Sequence, residues 1–179
     1  DEMAIKALTF DVFGTVVDWR SSIIEQAGAF GRERGIDADW AAFADGWRGK
    51  YQPAMERVRS GATGWQKLDH LHRQNLLELL DEFGIRDLDH GDVDHLNRIW
   101  HRLRPWPDAV AGLTRMKRDY ILATLSNGNV SLIVNMAKHA GLPWDMVLGA
   151  EVVGHYKPQP EAYLKSAGFL DLAPAECLM

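Results

Sequence analysis

One interruption restricts what this 179-residue chain can fold into. A single apolar run, Ala4 to Val12, reads as a strand through Ala7, Leu8, Phe10 and Val12, and Gly14-Thr15 ends it as a turn signal. Helical patterning then fills residues 17–97 before another strand appears. Ile23, Ala27 and Phe30 share one face, with Gly35 as a stop, and Trp40, Phe43, Trp47 and Tyr51 share another. Leu68, His72, Leu76, Leu79, Leu80 and Phe83 mark a third helix closed by Gly84, and Val93, Leu96, Trp100 and Leu103 a fourth.

Arg104-Pro105-Trp106-Pro107-Asp108 breaks the helices as a loop. A short helix through Val110, Leu113 and Met116 leads to Tyr120–Ser126, whose unbroken apolar character predicts a strand buried on both faces, as in a parallel sheet. Asn127-Gly128 ends that strand. Val130, Ile133, Val134 and Ala137 form the next helix up to Gly141, Met146–Val152 reads as a further strand, and Pro160 opens a last helix through Tyr163, Leu164 and Ala167. This order predicts an α/β fold: a Rossmann-like parallel-sheet core of residues 1–16 and 98–179, with a helical cap of residues 17–97 inserted into it. Asp1-Glu2, ahead of Met3, read as a cloning remnant.

A formal charge of −5 argues against general binding of a nucleic-acid backbone, which calls for a concentrated basic face. No run reaches the roughly 20 apolar residues that span a bilayer. The single cysteine, Cys177, has no partner for an internal disulfide, and no secretory signal pattern opens the chain, so a cytoplasmic home is expected. The seven histidines are scattered without metal-ligand spacing, and the seven tryptophans read as packing residues.

Three places carry chemistry. Asp11 stands at the carboxyl end of the first strand, where open α/β sheets bind ligands; taken alone it reads equally as a turn cap. Ser126-Asn127-Gly128 puts a hydroxyl and an amide at the end of another core strand, although a Ser/Asn turn looks the same. Lys157, before Pro158, could be an ordinary surface lysine.

Their order is more telling than any one of them. Phe10-Asp11-Val12-Phe13-Gly14-Thr15, Leu125-Ser126-Asn127-Gly128 and Tyr156-Lys157-Pro158-Gln159-Pro160-Glu161-Ala162-Tyr163 resemble motifs one, two and three of the haloacid dehalogenase superfamily, and the helical insert matches its cap position. The superfamily's phosphatases usually carry an acid–base aspartate two positions after the nucleophile. Here Phe13 stands there, which cannot protonate a leaving alkoxide and weakens a magnesium site. Asp-Val-Phe-Gly-Thr is similar to the L-2-haloacid dehalogenase subgroup, whose members use no metal or other cofactor.

The resemblance implies roles. Asp11 would attack C2 of a short 2-haloalkanoate and form an ester, while Thr15 and Lys157 orient and stabilise its carboxylate. Ser126 and the backbone N–H groups of Val12 and Phe13 would hold the substrate carboxylate. Arg48, in Trp47-Arg48, and Asn127 would take the halide; Trp65 would border the halide and alkyl group, and Tyr163 would lie near the site. A salt-bridged Arg48, a packing Trp65 and a core Tyr163 remain open alternatives. The fourth motif, an acidic segment due beyond Met179, would supply the hydrolytic base, so this reading favours a piece of a longer chain. The subgroup resemblance also implies a homodimer, a small-molecule haloacid partner, and neither nucleic acid nor membrane. A magnesium-dependent phosphatase and a catalytically idle binding or dimerising module are the competing readings.

Overall fold

The computed structural model describes residues 4–179; the reading of Asp1-Glu2 as a remnant, like the first three residues of the expected core, lies outside them. In chain order the elements are β1 (Ala7–Phe10), β2 (Val17–Asp18), α1 (Trp19–Arg34), α2 (Trp40–Gly49), α3 (Tyr51–Arg59), α4 (Leu68–Glu82) and α5 (His90–Asn97). A 3-10 segment Arg98–Arg102 follows, then β3 (Arg104–Pro105), α6 (Ala109–Met116), β4 (Ile121–Ser126), α7 (Val130–Ala140), β5 (Met146–Gly149), α8 (Ala150–Val153) and α9 (Pro160–Phe169). The 3-10 turn Pro174–Glu176 and β6 (Cys177–Leu178) come last. The chain divides into two compact units, Trp19–Leu103 and the remainder.

The remainder is an α/β unit. Its four strands run parallel in the order β5-β4-β1-β6, with Ala7 opposite Ile121 and Cys177, and Ser126 opposite Gly149. Leu122 to Ser126 are all buried, as a strand covered on both faces requires. The chain runs outward from β1 through β4 to β5 and then returns to the other side of β1, so the carboxyl end of β1 sits where the strand order reverses. Gly141, at φ +74°, stops α7 in the left-handed conformation that a side chain disfavours.

Three local readings need correction. Arg104-Pro105 is not simply loop: it pairs antiparallel with β2, Val17 opposite Pro105 and Asp18 opposite Arg104. The strand expected over Met146–Val152 ends at Gly149, and Ala150–Val153 turn as a helix. That turn has a use, because the Glu151 carboxylate accepts a hydrogen bond from Val130 N in the first turn of α7 (2.9 Å). The helix expected through Val93, Leu96, Trp100 and Leu103 tightens to 3-10 geometry at Arg98.

The helical unit runs from Trp19 to Leu103, where 17–97 was expected for the cap: residues 17–18 fall with the sheet unit, and residues 98–102 pack with α1 and α5. Trp40, Phe43, Trp47 and Tyr51 do not ride one helix. Pro53 has no N–H to offer Gly49 O, so α2 breaks at Lys50 and α3 begins anew with the proline in its first turn. Asp39 caps α2 by accepting from Ala42 N (2.9 Å), and Asp89 and Asp92 form a capping box on α5. Asp92 is also held by Arg34.

At the centre of this unit Trp100 is fully buried and stacks on His72, 4.2 Å between centroids at 20°, while Trp47 Nε1 donates to His72 O (3.0 Å). Burial pushes the His72 imidazole from 6.5 down to about 3; Arg48 and His101 push the same way, and the Asp69 carboxylate opposes them. The unfolded chain therefore takes up a proton near pH 6.5 that the folded chain refuses. Stability is whole above pH 6.5 and falls as pH drops toward 3, by at most about 1.4 kcal/mol per pH unit. Between pH 7.5 and 5, urea melts should show the wild type losing about 2 kcal/mol more than His72→Phe, which keeps a ring but cannot protonate. Equal losses would sink this account.

Candidate active site

Asp11 follows the last residue of β1, so its position comes from the sheet rather than from a mobile loop. The next residues curl back: Val16 N and Val17 N donate to Val12 O, and Gly14 N donates to Val17 O. Trp106, beyond β3, ties the curl down by donating Nε1 to Gly14 O (3.0 Å) and its backbone N to Val16 O (3.0 Å). Sequence reasoning missed this strut, and its signal was present in the tryptophan between Pro105 and Pro107.

Both Asp11 oxygens are engaged. Thr15 Oγ1 donates to Oδ2 at 2.7 Å and Lys157 Nζ donates to Oδ1 at 3.0 Å. The Asp11 side chain is 44% exposed and that of Lys157 only 13%, so a partly desolvated ammonium faces a carboxylate that stays accessible. Lys157 is placed by its own backbone, whose N–H donates to Asn127 Oδ1 (2.8 Å). Ser126, buried at the end of β4, receives Gly128 N on Oγ (3.0 Å). Motifs one, two and three thus meet at one edge of the sheet.

Val12 and Phe13 are buried, and Phe13 forms a bridge with Val17. Tyr163, exposed on α9, lines a cleft of about 200 Å³ with Thr9, Leu125 and Cys177. Arg48 and Trp65 belong to the helical unit. Arg48 ends α2 with its guanidinium over the rings of Tyr51 and Trp19, and Trp65 lies exposed between α3 and α4.

The donor set around Asp11 does not suit the magnesium of phosphoryl-transfer relatives. An ammonium and a hydroxyl hold the two oxygens, and the position two residues on is a buried phenyl ring. Among the described residues no group of three or more His, Cys, Asp or Glu side chains comes together as a metal site.

The class of protein this describes is a parallel α/β fold with one aspartate at the carboxyl edge of its sheet, held between a hydroxyl and an ammonium. The family model for haloacid dehalogenase-like hydrolases matches residues 5–179, and the chain belongs to that family. It is similar to the crystal structure of the L-2-haloacid dehalogenase PA0810, with 53% identity and a TM-score of 0.94 over 97% of this chain and 74% of that one. The defluorinating L-2-haloacid dehalogenase Rha0230 superposes with a TM-score of 0.95 at 48% identity, over 97% of this chain and 71% of that one. The (S)-2-haloacid dehalogenase 1 of Pseudomonas sp. (strain CBS-3) is 27% identical, over 96% of this chain and 74% of its own length.

Proposed function

We propose that this protein is a hydrolytic 2-haloacid dehalogenase that converts short 2-haloalkanoates into 2-hydroxyalkanoates. The observation that carries the reading is the Asp11 carboxylate, accessible, held by Thr15 and Lys157, and followed two residues later by Phe13 instead of an acid. An oxygen of Asp11 attacks C2, the carbon–halogen bond breaks, and halide leaves with the bonding pair. The product of this step is an aspartyl ester, which water hydrolyses to release the hydroxyacid and a proton. Halide needs no proton to depart, so the absence of an acid at position 13 costs nothing here.

In this reading Lys157 balances the charge of Asp11 and Thr15 fixes its direction. Ser126 and the N–H groups of Val12 and Phe13 hold the substrate carboxylate, and Tyr163 adds to its surroundings. Arg48 and Asn127 receive the halide, and Trp65 borders the alkyl group. The helical unit plays the part of the cap. The names of the similar proteins support the substrate class, and one of them is a defluorinating enzyme, so fluoride belongs with chloride among the halides to be tested. A homodimer in the cytoplasm completes the proposal; light scattering should return twice the chain mass.

The decisive experiment quenches the protein during turnover of 2-chloropropionate and digests it for mass spectrometry. The peptide bearing Asp11 should carry the propionate ester while chloride accumulates in solution. Chloride release with no adduct on that peptide at any quench time would overturn the mechanism.

A further inference from the structure

We propose that Trp19 and Tyr51 are positioning residues for Arg48, fixing the plane of its guanidinium so that its edge is presented to the leaving halide. This inference rests on the role given to Arg48 above. Arg48 Cζ lies 4.1 Å from the Tyr51 ring centroid and 5.6 Å from that of Trp19. Tyr51 is buried at the start of α3, directly after the break that Pro53 enforces, and Trp19 is half-buried at the start of α1.

The clamp is anchored in the core. Trp19 stacks on Trp100 (6.3 Å, 25°), which is fully buried and stacks in turn on His72. Two cation–π contacts therefore reach Arg48, one from the buried Tyr51 ring and one from Trp19, whose stack on Trp100 ties it to the interior of the helical unit. An arginine side chain has many rotamers to lose, and a guanidinium packed against two rings has already lost much of that freedom before an anion arrives. Guanidinium binds anions through its N–H edges, so rings that restrict its rotation set where those edges point.

A positioning role predicts an effect that depends on the leaving group. Bromide departs more readily than chloride, so stabilising the departing ion matters less for the bromo substrate. Single-turnover halide release should be followed with 2-bromopropionate and 2-chloropropionate in Trp19→Met, Tyr51→Met, Trp19→Phe and Tyr51→Phe. Methionine fills the space with a flexible chain, and phenylalanine retains a ring. In each Met variant chloride release should fall on the order of 10-fold more than bromide release, because misorienting a group at the reacting atoms costs rate. The Phe variants should keep the wild-type ratio.

A variant that merely loosens packing slows both substrates alike, so an unchanged ratio in the folded Met variants overturns the clamp. If the Met variants fail to fold, the Phe pair decides through chloride inhibition: wild-type inhibition supports the clamp, and inhibition weakened about 10-fold despite the retained ring overturns it. Arg48→Met separates the two levels of argument. If it leaves the bromide-to-chloride ratio untouched, the halide role of Arg48 fails and the clamp with it. If it raises the ratio while the folded Trp19→Met and Tyr51→Met proteins do not, that role stands and only the clamp is lost.

Discussion

Asp11→Asn should lower haloacid turnover by at least about 10⁴-fold while leaving the melting temperature within a few degrees of wild type, because removing a nucleophile removes the reaction path and not merely part of a binding energy. The carboxamide keeps the size of the side chain and one oxygen that can accept from Lys157 or Thr15, so the three-residue cluster survives as packing. It lacks the anionic oxygen that attacks carbon. Halide release measured with an ion-selective electrode is the readout. Turnover within tenfold of wild type, in a preparation free of native enzyme, would mean that Asp11 is not the attacking group.

Gly149→Ala should be among the most damaging single-methyl additions available to this fold. Gly149 ends β5 opposite Ser126 of β4, and an added Cβ would stand 2.1 Å from Ser126 O, 3.1 Å from its carbonyl carbon and 3.2 Å from its nitrogen. These are backbone atoms of a buried central strand and cannot swing away as a side-chain tip would. We expect a stability loss of about 3 kcal/mol or more in urea melts, at or above the upper end of what overpacking usually costs. Gly141→Ala is the control: its φ of +74° disfavours a side chain but no atom lies within 4 Å, so about 1 kcal/mol is expected. Any Gly149→Ala protein that folds should also dehalogenate slowly, since the strand must shift where Ser126-Asn127 leave it. Equal stability losses at the two glycines would contradict the close approach.

Much of this was legible before the structure because it rests on periodicity and strand-end chemistry. Ile23, Ala27 and Phe30 do share a buried face of α1, and Leu68, Leu76, Leu79 and Leu80 a buried face of α4. The continuous apolar run before Asn127 is a buried central strand. What escaped reading depends on contacts distant in sequence. Pairing of β2 with β3 joins residues 17–18 to 104–105, and no local pattern announces a two-residue strand. The close approach of Gly149 to Ser126 and the bond Glu151 makes to α7 likewise join segments far apart in sequence. At the candidate site the resemblance named Asp11, Thr15 and Lys157. It did not reveal the ring stack behind Arg48, nor that Asn127 holds the backbone of Lys157.

The short ribbon of β2 and β3 has a consequence for how such a protein can vary. The chain leaves the sheet unit along Val17–Asp18 and comes back along Arg104–Pro105, side by side and hydrogen-bonded. Whatever lies between those two crossings is spliced in at a single fastened doorway, so its length and helix count can change without disturbing strand register or the aspartate at the sheet's rim. Exchanging the whole segment 19–103 for a foreign helical module should therefore leave the sheet with Asp11, Thr15, Ser126 and Lys157 in place, and separate what those four residues do from what Arg48 and Trp65 add.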